Sequence, residues 1–185
     1  MIKVSQREYL TSDRLPFTVR GARAADLETV LDIQRAALAE SDDYFVRTLE
    51  EFDATRVEFG EDLTALLTQE NSLWLVAERE GEVIGSLDFH GGGFARIRHV
   101  GSFGMTVHSD YRNRGIGTGL VEMLLLWAVG HPVIEKLTTN LFTNNTRAIA
   151  LFNRFGFQSE GRRHREFLVA PGRYLDAILL AKWIK

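Results

Sequence analysis

The chain has 185 residues, 45% hydrophobic and 25% charged, with a formal net charge of -3 and no cysteine. That describes one ordinary domain with enough apolar material for a core, and it lacks the global field that draws a chain to nucleic acid or an anionic membrane. Disulfides, thiolate nucleophiles and zinc–sulfur sites are excluded, and any anion-binding site must be local.

Residues 1–16 are mixed and polar, end in Pro16, and read as an N-terminal arm ahead of a single domain over residues 17–185. The opening "MIKVSQREYL" has no apolar core of signal-peptide length. The longest uninterrupted apolar run, Met123 to Val129, falls well short of the roughly 20 residues of a membrane span. The expected location is cytoplasmic, with no membrane partner. "FTVRGA" alternates as a short strand through Phe17 and Val19. "AADLETVLDIQRAALAE" sets Leu27, Val30, Leu31 and Leu38 on one helical face. Residues 41–69 carry more helix, with Leu63, Leu66 and Leu67 on one side and Gly60 expected to interrupt it.

From residue 72 the hydrophobic period shortens to two. "SLWLVAER" and "EVIGSLDFH" read as strands joined at Glu80-Gly81. "GGGFAR" is a loop, and "HVGSFGMTV" is a third strand. An apolar helix runs to about Val129 and ends at His131-Pro132. "EKLTTNLF" is a strand. "NNTRAIALFNRFGF" is a short helix with an asparagine cap and a stripe of Ala148, Leu151, Phe152 and Phe155. Gly156 supplies its left-handed C-terminal cap. "RRHREFLVA" and "RYLDAILLAKWI" form a hairpin about Pro171-Gly172. The order β, helices, βββ, α, β, α, ββ predicts an α+β or α/β sandwich, one mixed sheet with helices on both faces.

Several familiar signatures fail. "GIGTGL" is G-x-G-x-G-L, so the glycine that packs a dinucleotide-binding helix on its strand is out of step. No G-x-x-x-x-G-K-[ST] occurs. "VGSFG" has Val100 where a nucleophile elbow needs glycine. His90, His99, His108, His131 and His164 show no metal-ligand spacing, so no metal is expected. "GRRHREF" reads as a solvated strand face, with contact to an anionic substrate or phosphate as the sharper alternative. A nucleic-acid surface would want more basic residues with interleaved aromatics, so no nucleic-acid partner is expected.

"YRNRGIGTGL", Tyr111 to Leu120, lies between a strand and the apolar helix. A helix N-terminus exposes unpaired N–H groups and partial positive charge, where phosphates bind. Glycines let a phosphate approach the backbone, and arginines add charge. The context predicts a pyrophosphate cradle; a glycine-rich turn with solvated arginines is the plainer alternative.

Arg112-Asn113-Arg114-Gly115-Ile116-Gly117 resembles the [RQ]-x-x-G-x-[GA] motif of the GNAT superfamily of N-acetyltransferases. Asn145-x-x-Ala148-x-x-Leu151-Phe152-x-x-x-Gly156-Phe157 is similar to that family's late N-x-x-A-x-x-L-[YF]-x-x-x-G-F pattern. The two occur in the family's order, and the resemblance is close over roughly residues 72–183. It implies a mostly antiparallel sheet whose one parallel strand pair, "GSFGMTV" and "KLTTNLF", splays to admit acetyl-CoA. The main chain of Met105 and Val107 would pair with the pantetheine arm. Amides of Arg112, Asn113, Arg114, Gly115, Ile116, Gly117 and Thr118 would hold the pyrophosphate. Asn145 and the helix around Phe152 would flank the thiol end. The resemblance leaves a homodimer open.

The implied reaction is attack of an amine on the thioester. A lysine-like amine has a pKa of about 10.4, so the site must take its proton or lower its pKa. A donor must also stabilise the developing oxyanion; the Met105 N–H is the family-based candidate. The sequence departs from the family at both usual side chains. Gly101 stands where many members carry a glutamate base, and Phe152 where many carry a tyrosine acid. The base candidates are His99, on Gly101's strand face if alternation holds, and Asp88 or His90 on the preceding strand. Tyr174 is the candidate acid. Each has a plainer reading as a strand-end polar group or a packed ring. Carboxylates at Glu40, Asp42, Asp43, Glu50 and Glu51 would suit a cationic acceptor, unless they are simply a solvated helical face.

The favoured reading is N-acetyl transfer to a small-molecule or protein amine. The alternative is a coenzyme-A-binding sensor or interaction module with little catalysis.

Overall fold

The computed structural model describes residues 4–40 and 43–185. Alternation in one strand sets the layering. In β3 (Leu73–Arg79), Leu73, Leu75 and Ala77 point to one face and Trp74 and Val76 to the other, and all five are buried. A strand buried on both faces needs cover on both. On the first face Leu75 joins buried Leu120, Leu124 and Trp127 of α4 (Ile116–Gly130) and Phe152 of α5 (Thr146–Arg154). On the second face Trp74 and Val76 join Val30, Leu31 and Leu38 of α1 (Leu27–Glu40), Phe52 of α2 (Leu49–Ala54) and Leu63 of α3 (Arg56–Ala65).

The remaining strands are β1 (Arg7–Leu10), β2 (Pro16–Gly21), β4 (Glu82–Gly91), β5 (Val100–Val107), β6 (Lys136–Phe142), β7 (Gln158–Ala170) and β8 (Arg173–Trp183). They form one sheet in the order β1-β2-β3-β4-β5-β6-β8-β7. Every pairing is antiparallel except β5 with β6. This is the mixed, mostly antiparallel sheet expected. The β3–β4 turn has positive φ at both Glu80 and Gly81, the signature of a two-residue type I′ hairpin. Within the segment expected as an arm, β1 pairs with β2 as an edge strand.

Gly60 corrects an expectation. It does not interrupt a helix but lies inside α3, buried against α1: a Cβ there would stand 3.5 Å from Leu27 and Leu31 side chains. The break falls earlier, at Thr55. A capping box opens α2, with the Thr48 hydroxyl accepting the Glu51 N–H and the Glu51 carboxylate accepting the Thr48 N–H.

Between β2 and α1 the chain buries a charge. The Arg20 guanidinium donates to both Asp26 oxygens at 2.7 and 2.8 Å and to Glu78 at 2.8 Å. Asp26 also accepts the Arg23 N–H at 2.7 Å, fixing the turn that leads into α1. Burial alone would raise the Asp26 pKa; the Arg20 guanidinium and the Arg23 N–H outweigh it and hold the carboxyl below its ordinary value. A depressed carboxyl pKa stabilises the fold above the unfolded value of about 4 and loses that contribution as pH falls through the folded one. Asp26→Ala leaves a buried guanidinium without its main partner. It is expected to cost about 3–5 kcal/mol in urea unfolding at pH 7, with the deficit shrinking below about pH 4.

Two further features position the site. The buried core under the second helical layer takes no residue from β5, β6, β7 or β8, although α1 reaches over β5 at the cavity through Ala37 and Glu40. And β5 pairs with β6 only from Val100 to Ser102, against Lys136 to Thr138. Beyond that the two parallel strands separate. Among the described residues no helix is long and apolar enough to cross a membrane.

Candidate active site

Where β5 leaves β6, threonine hydroxyls replace ladder bonds. Thr138 donates to Gly101 O at 3.0 Å and Thr139 to Phe103 O at 3.1 Å. Past this point β5 keeps its partner β4 on one side only. His108 N–H reaches Ile84 O and Gly92 N–H reaches Val100 O. In an antiparallel ladder the residues so bonded alternate, so the even-numbered positions of β5 bond β4. The main chain of Met105 and Val107 therefore faces the gap, as the pantetheine reading requires. Val107 O already accepts the Arg112 Nε–H at 3.1 Å.

The three glycines of "GIGTG" do different work. Gly115, at φ +91°, turns the chain into α4. The first intrahelical bond runs from Gly119 N–H to Gly115 O, which leaves the amides of Ile116, Gly117 and Thr118 without an intrahelical acceptor. At Gly117 a Cβ would stand 3.1 Å from Met105 Cε and 3.2 Å from Leu151 Cδ2. Its absence keeps the helix tip open beside the strand gap. Gly119 instead packs α4 on Phe17 and Tyr9, where a Cβ would come within 3.1 and 3.3 Å.

Gap and helix tip share one cavity of about 480 Å³, within the usual range of small-molecule sites. Met105, Val107, Arg112, Asn113, Gly115, Ile116, Gly117, Thr118 and Asn145 all line it. Of the expected cofactor residues, Arg114 and Phe152 do not. Arg114 turns to Asp13 at 3.3 Å. Phe152 is buried edge-on against Phe103, ring centroids 5.1 Å apart, and Leu151 takes the lining position on α5. Asn145 spends its side-chain oxygen capping α5 through the Ala148 N–H. Glu40, Phe45, Thr106 and Arg147 also line the cavity; no local motif marks them, because they converge from distant segments. Arg112 and Glu40 form an ion pair across its mouth.

The catalytic candidates are not brought together. His99 precedes β5 at the paired end of the strands, its ring beside Trp183 at 6.5 Å, and does not line the cavity. Tyr174 is exposed on β8 under the Arg165 guanidinium, 4.1 Å from its ring centre. Asp88 and His90 do meet: His90 Nε2 is 3.1 Å from Asp88 Oδ2. That hydrogen bond outweighs burial and raises the His90 pKa above its ordinary value. Asp88 sits opposite Gly104 in the β4–β5 ladder. A Cβ at Gly104 would be 3.5 Å from both carboxylate oxygens; glycine leaves Asp88 partly exposed, and neither Asp88 nor His90 lines the cavity. Along β5 Gly104 is two residues, about 7 Å, from cavity-lining Thr106.

Gly101 has no such freedom. A Cβ there would stand 2.2 Å from Phe89 Cζ and 2.7 Å from His90 O. The space a base would need at this position is filled from β4. The acidic set near α1 is also largely engaged: Glu40 with Arg112, Asp43 with Arg173 at 2.8 Å, and Glu51 as a cap. Asp42 lies outside the described residues. No cluster of three or more metal-ligating side chains occurs among the described residues.

Residues 33–157 match the model of the acetyltransferase (GNAT) family. The chain is 29% identical over 108 residues to the L-amino acid N-acetyltransferase AaaT of Escherichia coli K12, covering 58% of this chain and 66% of that one, just under two thirds. It is 28% identical over 160 residues to the peptidyl-lysine N-acetyltransferase YjaB of Salmonella typhimurium, covering 86% and 96%. Its fold matches that of yncA from Salmonella typhimurium, solved with its cofactor acetyl-CoA. That match has a TM-score of 0.76 and 21% identity, over 91% of this chain and 94% of the other.

Proposed function

This chain belongs to the GNAT family of acetyltransferases, and we propose that it moves the acetyl group of acetyl-CoA onto a primary amine of a small molecule or peptide by direct attack. The observation that carries this is the junction of two things in one cavity: free helix amides and the β5 main chain where it leaves β6. The cradle at Gly117, which a side chain would fill, fits the pyrophosphate of coenzyme A.

Bound there, acetyl-CoA supplies an activated acetyl thioester. The amides of Ile116, Gly117 and Thr118 hold phosphate oxygens, and Arg112 and Arg147 add positive charge at the mouth. The Met105 N–H, facing the gap, would be the donor available to a thioester oxygen held there. The acceptor lies on the sheet face beside Gly104, where Asp88 and His90 take its proton directly or through water. A raised imidazole pKa brings His90 closer to the amine it must deprotonate, and Asp88 fixes the ring through Nε2, leaving Nδ1 free. With Phe152 in the core, α5 offers no phenol, and the departing thiolate meets its proton from solvent. Holding both reactants in line contributes independently of any acid or base.

The closed position at Gly101 and the buried Phe152 favour a second reading, a coenzyme-A-binding sensor with little turnover. Thiol release from acetyl-CoA across polyamines, amino acids, aminoglycosides and peptides is expected to show turnover with at least one class. Tight acetyl-CoA binding with none would favour the sensor.

A further inference from the structure

A second cavity, about 240 Å³, opens beside the first and shares Phe45 with it. Its walls are Phe45, Val46, Arg47 and Thr48 from the α1–α2 connection, Phe142 at the end of β6, and Glu166, Phe167, Leu168 and Val169 of β7, six of the nine apolar. Two of the chain's exposed large apolar side chains, Val46 at 77% and Leu168 at 63%, stand together on its walls. Charge at its edge is already engaged. Arg47 lies over the Phe59 ring at 4.7 Å, and Glu166 binds Arg163 at 2.8 Å.

The fold builds this shape deliberately. Between Arg163 and Phe167 the β7 strand carries extra residues opposite Asp176 alone. The Asp176 carboxylate ties that bulge by accepting from Arg165 N–H at 2.8 Å, Arg162 Nε at 2.7 Å and His164 Nδ1 at 3.0 Å. The bulge delivers Phe167 onto Phe142, stacked at 3.7 Å. The Asp43–Arg173 ion pair, 2.8 Å, ties the α1–α2 connection to the β7–β8 hairpin. A bulge that re-aims a side chain beside a working site is a recurrent use of such irregularities.

We propose that this cavity receives an uncharged, apolar side chain of the amine acceptor, of about leucyl to phenylalanyl size, while the amine reaches the first cavity, with which it shares Phe45. This rests on the transferase reading above and narrows it. Lysine side chains, polyamines and aminoglycosides would bring a second cation into walls with no free carboxylate among the described residues. An apolar pocket distinguishes substrates by their methylenes, roughly tenfold or more for each one lost.

The test compares glycinamide, leucinamide, phenylalaninamide and lysinamide as acceptors, by thiol release and by direct binding in the presence of coenzyme A using ligand-observed NMR. Leucinamide or phenylalaninamide is expected to exceed glycinamide and lysinamide in kcat/KM by at least about tenfold. Leu168→Glu, at an exposed position where folding is insensitive, is expected to bring the leucinamide-to-glycinamide ratio toward one in both readouts. If no amine turns over but leucinamide binding still depends on Leu168, the pocket stands and the transfer reading falls. Equal kcat/KM for glycinamide, lysinamide and leucinamide overturns the proposal. So does binding indifferent to Leu168→Glu, or a dimer in sedimentation that this variant dissociates, since the face would then serve a second copy.

Discussion

Gly117→Glu is expected to raise the acetyl-CoA dissociation constant by about 100-fold or more while leaving the protein as stable as before. The atoms a Cβ would meet, Met105 Cε and Leu151 Cδ2, are the far ends of flexible side chains and can move. The new carboxylate would sit in the first turn of α4, where negative charge favours the helix by about 0.3–1 kcal/mol. The same charge would face the phosphates and cover the amides meant for them. A hundredfold is about 2.8 kcal/mol, no more than the loss of one or two charge-assisted hydrogen bonds. Stability thus holds while affinity falls, which separates a site effect from misfolding. Calorimetry checks the affinity and thermal unfolding the fold. Unchanged affinity would remove the cradle from the cofactor site.

Asp88→Asn keeps shape and removes charge. Its kcat/KM for amines is expected to fall about 10²- to 10⁴-fold with acetyl-CoA affinity unaltered, since Asp88 lies outside the phosphate cradle. The His90 pKa is raised chiefly by the hydrogen bond its ring donates to the Asp88 carboxylate, so the variant's His90 should titrate at lower pH by NMR. The rising limb of the pH–rate profile should shift with it. The stability sign is separate: a raised histidine pKa stabilises below the unfolded value of about 6.5 and loses that contribution as pH rises through the folded pKa. His99→Ala serves as the comparison. Beside Trp183 and away from the cavity, it is expected to leave the profile alone. Full activity in Asp88→Asn, or a profile that moves only in His99→Ala, would transfer the base role to His99.

The family, the strand order around the cleft and most of the residues that line the cavity were legible because local chemistry writes them. Glycine spacing, an asparagine cap and alternating strands need only near neighbours. Gly60 misled because a helical glycine weakens propensity whether it ends a helix or lets another helix approach; only the α1–α3 contact tells which. The side chains of Arg114 and Phe152 leave the cavity for a related reason. A motif names positions, and the partner that captures a side chain, Asp13 or Phe103, lies far along the chain. The Asp88–Gly104 opening needs the β4–β5 register, and the apolar pocket needs a bulge, neither of which has a local signature.

Gly101 and Phe89 carry a consequence for descent. The ring fills what a larger residue at 101 would occupy. Enlarging Gly101 alone drives a side chain into that ring, and cutting Phe89 to alanine alone opens a core cavity at a cost of about 3–5 kcal/mol. Each intermediate on the way to a side chain at 101 is less fit to fold than either end. A chain in this state is held there by packing, one substitution at a time, and a side chain at 101 becomes open to it only if Phe89 changes in the same step.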